Sequence, residues 1–276
     1  MKLVSREYKY MLDQLRFADP DEAVVRFWSE MKRHVEVVNV CGAGDLKCSK
    51  RRTVSFLDTR DGSIRGNGYV LRGRREGDLL EFTLKCRSPD RFIAAGAKIG
   101  VKKKLREAAG VKFKRKLEED IATPFVSRFS LSGTLTFAKS VQPAFGAVPE
   151  SVADGAALFP VIRTFQVNGR RMPRATRVEC VNGVEACERV YQGGTLHLPA
   201  KGKGSKTVDA TAAVILWSLG ENGRPLVAEF SFRYRNKGGK FNRGVAVAAK
   251  RCYDLLQRAD WALPGGTTKT AYAYGE

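Results

Sequence analysis

The chain has 276 residues, 43% of them hydrophobic, enough for an ordinary buried core. Lys and Arg number 49 against 29 Asp and Glu, a formal net charge of +20 that points to polyanionic partners: nucleic acid, an anionic membrane, polyphosphate or nucleotides. No run of about 20 apolar residues is present, so no membrane span is expected, and the charged opening MKLVSREYKYML is unlike a signal peptide, so a cytoplasmic chain is expected.

In chain order, VSREYKYML alternates like a strand and places Glu7 and Lys9 on one face. Ala18 to Val35 predicts a helix: Asp19-Pro20 suits a cap and first turn, and Ala23, Val24, Phe27, Trp28, Met31 and Val35 recur at helical spacing. Residues 41–51 read as a loop. RTVSFLDT then reads as a strand and RDGSIRGNG as a turn. GYVLRGRRE and LLEFTLKCR pair as a hairpin across Glu76-Gly77-Asp78.

From Lys98 to Lys116 basic residues face a single acid, Glu107. The first part of that run predicts a short helix ended by Gly110, and the second, VKFKRKLEEDI, a strand. Further strands are predicted at Val126–Phe137, Val161–Val167, Ala175–Val181, Ala212–Leu219 and Leu226–Tyr234, the last two joined through Gly220–Arg224. GGTLHLPAKGKGSK and RNKGGKFNRG read as loops, and Gly244–Ala259 as a second amphipathic helix. No composition shift marks a boundary. A single domain over 1–276 is expected, with a basic segment at 98–116 and a variable, loop-rich region at 139–206. Its class is α+β: a mainly antiparallel, tunnel-like β-barrel of about eight strands with a few flanking helices.

The six cysteines include Cys41/Cys48 and Cys180/Cys187, each pair with six residues between its members. Zinc knuckles usually leave about two to four residues between ligands, so these read as free or buried thiols. His34 and His197 read as structural.

The charged, same-face positions are Glu7 and Lys9, Arg72 and Arg74, Lys85 and Arg87, Lys112 to Glu118, Arg177 and Glu179, and Glu229 to Arg235. A solvated sheet face gives such alternation. So does a barrel whose polar interior grips an anion with guanidinium forks and ammonium groups. Composition alone favours the solvated face, although such a face would usually mix signs and the central hairpin is nearly all basic.

The ordered motifs Ser5-Arg6-Glu7-Tyr8-Lys9, Phe56-Leu57-Asp58-Thr59, Leu71-Arg72-Gly73-Arg74, Thr83-Leu84-Lys85, Glu229-Phe230-Ser231 and Lys269-Thr270-Ala271-Tyr272 resemble the CYTH domain. This is the triphosphate tunnel metalloenzyme superfamily of class IV adenylate cyclases and thiamine, inorganic and RNA triphosphatases. The resemblance implies a metal-dependent hydrolase of inorganic triphosphate, a nucleoside triphosphate or an RNA 5′-triphosphate end. Lys9, Arg72, Arg74, Lys85 and Arg177 would grip the phosphates. Glu7 and Glu229, supplemented by Glu118 and Glu179, would hold Mg or Mn, and Glu7, Lys9 and Lys85 would be catalytic. Asp58 would orient a neighbouring arginine. Ser5 and Ser231 depart from the family's E-x-E pairs and thin the metal site. A non-catalytic polyphosphate- or RNA-binding module and a class IV type adenylate cyclase are the alternatives, and a membrane-surface protein recruited by charge ranks last.

Overall fold

The computed structural model describes residues 1–139, 141–200, 206–235 and 242–275. Twelve strands form among them: β1 (Leu3–Leu12), β2 (Cys41–Ala43), β3 (Lys47–Asp58), β4 (Tyr69–Glu76), β5 (Leu79–Ser88), β6 (Val111–Ala122), β7 (Val126–Phe137), β8 (Gln166–Val167), β9 (Arg170–Arg171), β10 (Glu179–Pro199), β11 (Thr207–Ser218) and β12 (Val227–Arg235). The helices are α1 (Pro20–Glu36), α2 (Ser63–Gly66), α3 (Arg91–Gly96), α4 (Lys103–Arg106), α5 (Val152–Leu158), α6 (Arg243–Leu256) and α7 (Lys269–Tyr274).

Nine strands run in the order β11-β12-β1-β6-β7-β5-β4-β3-β10, and β10 pairs back with β11 to close a barrel. Closure leaves the ring without a free edge. Strand β2 hangs on β10 outside the ring. Every pairing in the ring is antiparallel except β1–β6, which is parallel.

Side-chain alternation makes this barrel apolar outside and charged inside. On β1, Tyr8, Tyr10 and Leu12 join the buried faces of α1 and α6 in one core, with Ala228, Phe230 and Phe232 of β12 beside them. On the opposite wall, Leu71, Phe82, Leu84, Leu117, Leu131 and Leu135 pack outward under α3, α5 and a 3-10 turn at Pro160–Thr164. The partners left between those outward residues point inward. A third cluster, Met11, Val54, Phe56, Trp217 and Val227 with Ala273 of α7, fills part of the interior where β12, β11, β3 and β10 meet α7.

The first helix forms where its spacing predicts. Asp19 caps it by accepting from the Glu22 N–H, Pro20 opens it, and all six predicted apolar residues are buried. Other segments differ. Residues 41–51 hold β2 and the start of β3 rather than a loop. Val161–Val167 is a 3-10 turn opened by Pro160, followed by the two-residue β8. The strand expected at Ala175–Val181 begins at Glu179 and continues for 21 residues. Its pairing slips near Gly183 and Gly193, whose positive φ values of 66° and 122° mark bulges rather than ends. The expected loop GGTLHLPAKGKGSK is therefore strand as far as Pro199; its residues 201–205, and 236–241 of RNKGGKFNRG, lie outside the described residues. Helix α5, inside the region read as loop-rich, is held by a capping box between Ser151 and Asp154. All six cysteines are free. No helix among the described residues is long and apolar enough to cross a membrane.

Candidate polyanion site inside the barrel

Strands β1, β6, β5, β4, β3, β10 and β12 each contribute inward charged groups. The parallel register sets Ser5 beside Glu118 and Glu7 beside Asp120. The Ser5 hydroxyl donates to Glu118 at 2.9 Å. The Lys9 ammonium lies 2.9 Å from Glu7 and 3.1 Å from Asp120. Lys85, reaching from β5, donates to the other Asp120 oxygen at 2.9 Å, and so does the Ser130 hydroxyl. Although protein surrounds them, the Lys9, Glu7 and Lys85 side chains keep 23%, 20% and 18% of their exposure. They face a solvent-reachable channel and not a dry core.

A second cluster sits around Glu188 of β10, which is fully buried. It accepts from Arg52 at 2.5 Å and from the Trp217 indole at 2.9 Å, with Arg74 at 3.5 Å. Burial pushes its carboxyl up, but Arg74 and Arg52 overcome that and hold it below the ordinary range. Arg74 also reaches Glu81 at 3.2 Å. Arg72 has no carboxylate within ion-pair reach among the described residues. The buried Nε atoms of Arg72 and Arg74 lack hydrogen-bond partners. Burial, with Arg74 alongside, pushes the Arg72 guanidinium down to about 9.

Around Asp120 the balance runs the other way. Burial pushes its carboxyl up, yet Lys85, Lys9 and Arg87 together hold it well below the usual carboxylate range. Lys85 itself is pushed down to about 8, by burial first and by Arg87 and Lys9 as well, against the pull of Asp120.

The structure thus brings Glu7, Lys9, Arg72, Arg74, Lys85, Glu118 and Glu229 to the barrel interior. It does not bring Arg177 or Glu179 there. Their side chains are 83% and 40% exposed, pair with each other at 3.5 Å, and follow the isolated bridge from Arg177 to Ser151. Asp58 accepts the backbone N–H groups of Thr59, Ile64 and Arg65 and the Tyr274 hydroxyl, tying α2 and α7 to β3. Asp120, Glu188 and Arg52 join them unforeseen, and so does Lys269 of the tail motif, for which no role was expected. Asp120 was legible, since it continues the period-two row Lys114, Lys116, Glu118; Glu188 lay in a segment with no predicted strand.

The acids do not fit a resident Mg or Mn ion. Glu7 is taken by Lys9, and Glu229 by Lys269 of α7 at 2.7 Å. Glu118 is held by Ser5, with Arg233 at 3.6 Å and Lys116 at 3.7 Å. Ser5 and Ser231, on the inward rows of β1 and β12, supply hydroxyls and not carboxylates. Among the described residues no three acids, histidines or cysteines come together as metal ligands.

No family model matches the chain, and no curated protein matches it. Solved structures resemble it, among them two that match over nearly the full length of both partners. One is a candidate adenylate cyclase from Bacillus halodurans, with a TM-score of 0.42 and 10% identity, covering 100% of this chain and 99% of that one. The other is a candidate adenylyl cyclase from Hippeastrum reported to have a dominant triphosphatase activity, with a TM-score of 0.43 and 10% identity, covering 99% and 97%. Likeness at this level decides neither substrate nor chemistry.

Proposed function

We propose that the barrel interior binds the phosphate chain of a triphosphate-bearing molecule and hydrolyses its terminal anhydride. One observation carries the reading: Arg72 is a desolvated guanidinium with no paired acid among the described residues and an unsatisfied Nε, beside Arg74 and on the same wall as Lys85. An arginine keeps its proton in a protein, so the downward push on Arg72 is felt as a cost of burying its charge beside Arg74. A phosphate oxygen would relieve it. Arg72 and Arg74 would hold the chain. Lys85 and Lys9 would offset charge developing on the transferred phosphoryl group as water attacks in line, a step that depends mostly on positioning and electrostatics. The ordered motifs that resemble the triphosphate tunnel superfamily support the same reading.

A second reading, binding without turnover, is favoured by the acids, each of which already engages a lysine, arginine or hydroxyl. Phosphate release from tripolyphosphate, ATP and 5′-triphosphorylated RNA, in chelator and with Mg²⁺ or Mn²⁺, separates the two. The expected outcome is turnover that falls at least about 100-fold in Arg72→Ala and Lys85→Met, in line with lost electrostatic stabilisation. No release under any condition, with tripolyphosphate still raising Tm, would leave the binder. No shift in Tm either would refute the polyanion site.

A further inference from the structure

The excursion between β5 and β6 is not needed to build the barrel wall, yet it carries a dense run of positive charge. Part of its apolar content is spent on attachment, while Phe92 and Ile93 stay exposed. Ile99 is fully buried against β7 where Gly133 leaves room; a Cβ on Gly133 would sit 2.4 Å from Ile99 Cγ2. Arg115 donates to the Ile99 carbonyl at 3.3 Å. The segment is therefore pinned to the outer face of β6 and β7. The charge it shows to solvent is mainly cationic: Lys102, Lys103, Lys104 and Arg106 are all exposed beside one acid, Glu107, and none of the four pairs with an acid among the described residues. Gly110 turns the chain into β6, whose Lys112 and Lys114 are also exposed and share the inward-facing row of Lys116 and Glu118. Positive charge thus runs from the outer wall over the rim toward the interior.

We propose that this exterior surface binds the sugar-phosphate backbone of a single-stranded nucleic acid. The charge sign and the unpaired ammonium groups select a polyanion. The path over a rim suits a flexible strand better than a rigid duplex. Phe92 on α3, in the same excursion, is 84% exposed and offers a ring on which a base can stack. A membrane surface fits less well, because the basic residues sit on a four-residue helix whose one apolar side chain, Leu105, is half-buried against the core.

This surface is distinct from the barrel interior, so its test avoids triphosphates. Binding of a 5′-hydroxyl single-stranded RNA of about 20 nucleotides is followed by fluorescence anisotropy across salt concentrations. In the triple variant Lys102→Ala, Lys103→Ala, Lys104→Ala, affinity is expected to fall at least about tenfold, and the slope of log K against log salt to flatten by about 2, near 0.7 per lost contact. The variant Arg72→Ala with Lys85→Met is expected to bind the strand as the parent does. Parent-like binding by the triple variant would overturn the proposal. So would loss of binding in the interior variant, or binding of phosphatidylserine vesicles with none of RNA.

Discussion

At the residue scale, Arg72 and Lys85 show how a cationic wall can be tuned by its own neighbours. Lys85 is pushed down to about 8 from an ordinary 10.5. Below about 8 it is charged folded or unfolded, and its burial costs stability. As pH rises from about 8 toward 10.5 the unfolded chain holds the extra proton, so that cost is released and stability gains. Ligand binding moves the opposite way, because the neutral amine no longer attracts phosphate. Affinity for tripolyphosphate, measured by calorimetry from pH 6.5 to 9.5, is expected to fall as pH passes about 8. Lys85→Arg is expected to flatten that fall; an identical profile in the variant would remove Lys85 from the site. The Arg72, Arg74 and Lys85 row was legible from period-two alternation alone. What alternation could not reveal is which acids neutralise it, since Glu188 and Asp120 reach the row from strands distant in sequence. The same limit misplaced Arg177, which alternates correctly but lies before its strand begins.

At the element scale, α7 is a small helix with an outsized role. Thr268 caps it, Ala273 packs into the interior apolar cluster, and Tyr274 donates to Asp58. Lys269 carries the pairing with Glu229, both side chains being largely buried. Removing one partner of a buried pair strands the other. Lys269→Met is expected to destabilise the protein by about 3 kcal/mol in urea unfolding, and the double change with Glu229→Met to recover most of it. A single variant as stable as the parent would show the pair to be solvated. Helices with caps and regular spacing, such as α1 and α6, were readable in the sequence. Strand β10 was not, because Gly183 and Gly193 punctuate a strand as bulges while resembling turn residues.

At the scale of the whole molecule, the ring inverts the usual arrangement of a small barrel: apolar residues face outward under helices, and charged residues face a channel. Two outer cores carry most of the burial, which leaves much of the interior to charged groups. The parallel pairing of β1 with β6, and its antiparallel pairing with β12 on the other side, have a temporal consequence. The first strand finds one neighbour more than 100 residues downstream and the other more than 200, so the stretch of barrel wall that gathers Lys9, Asp120 and Glu229 is expected to form last. Such distant contacts are slow to make. During synthesis the cavity cannot exist until β12 has been made. In refolding followed by stopped flow, recovery of tripolyphosphate binding is expected to track the slowest phase seen by tryptophan fluorescence; binding recovered in an earlier phase would show that the cavity forms before the ring is complete. Occupancy of the channel would then report that the ring has closed, and an anion present during folding would act as a latch on the final seam.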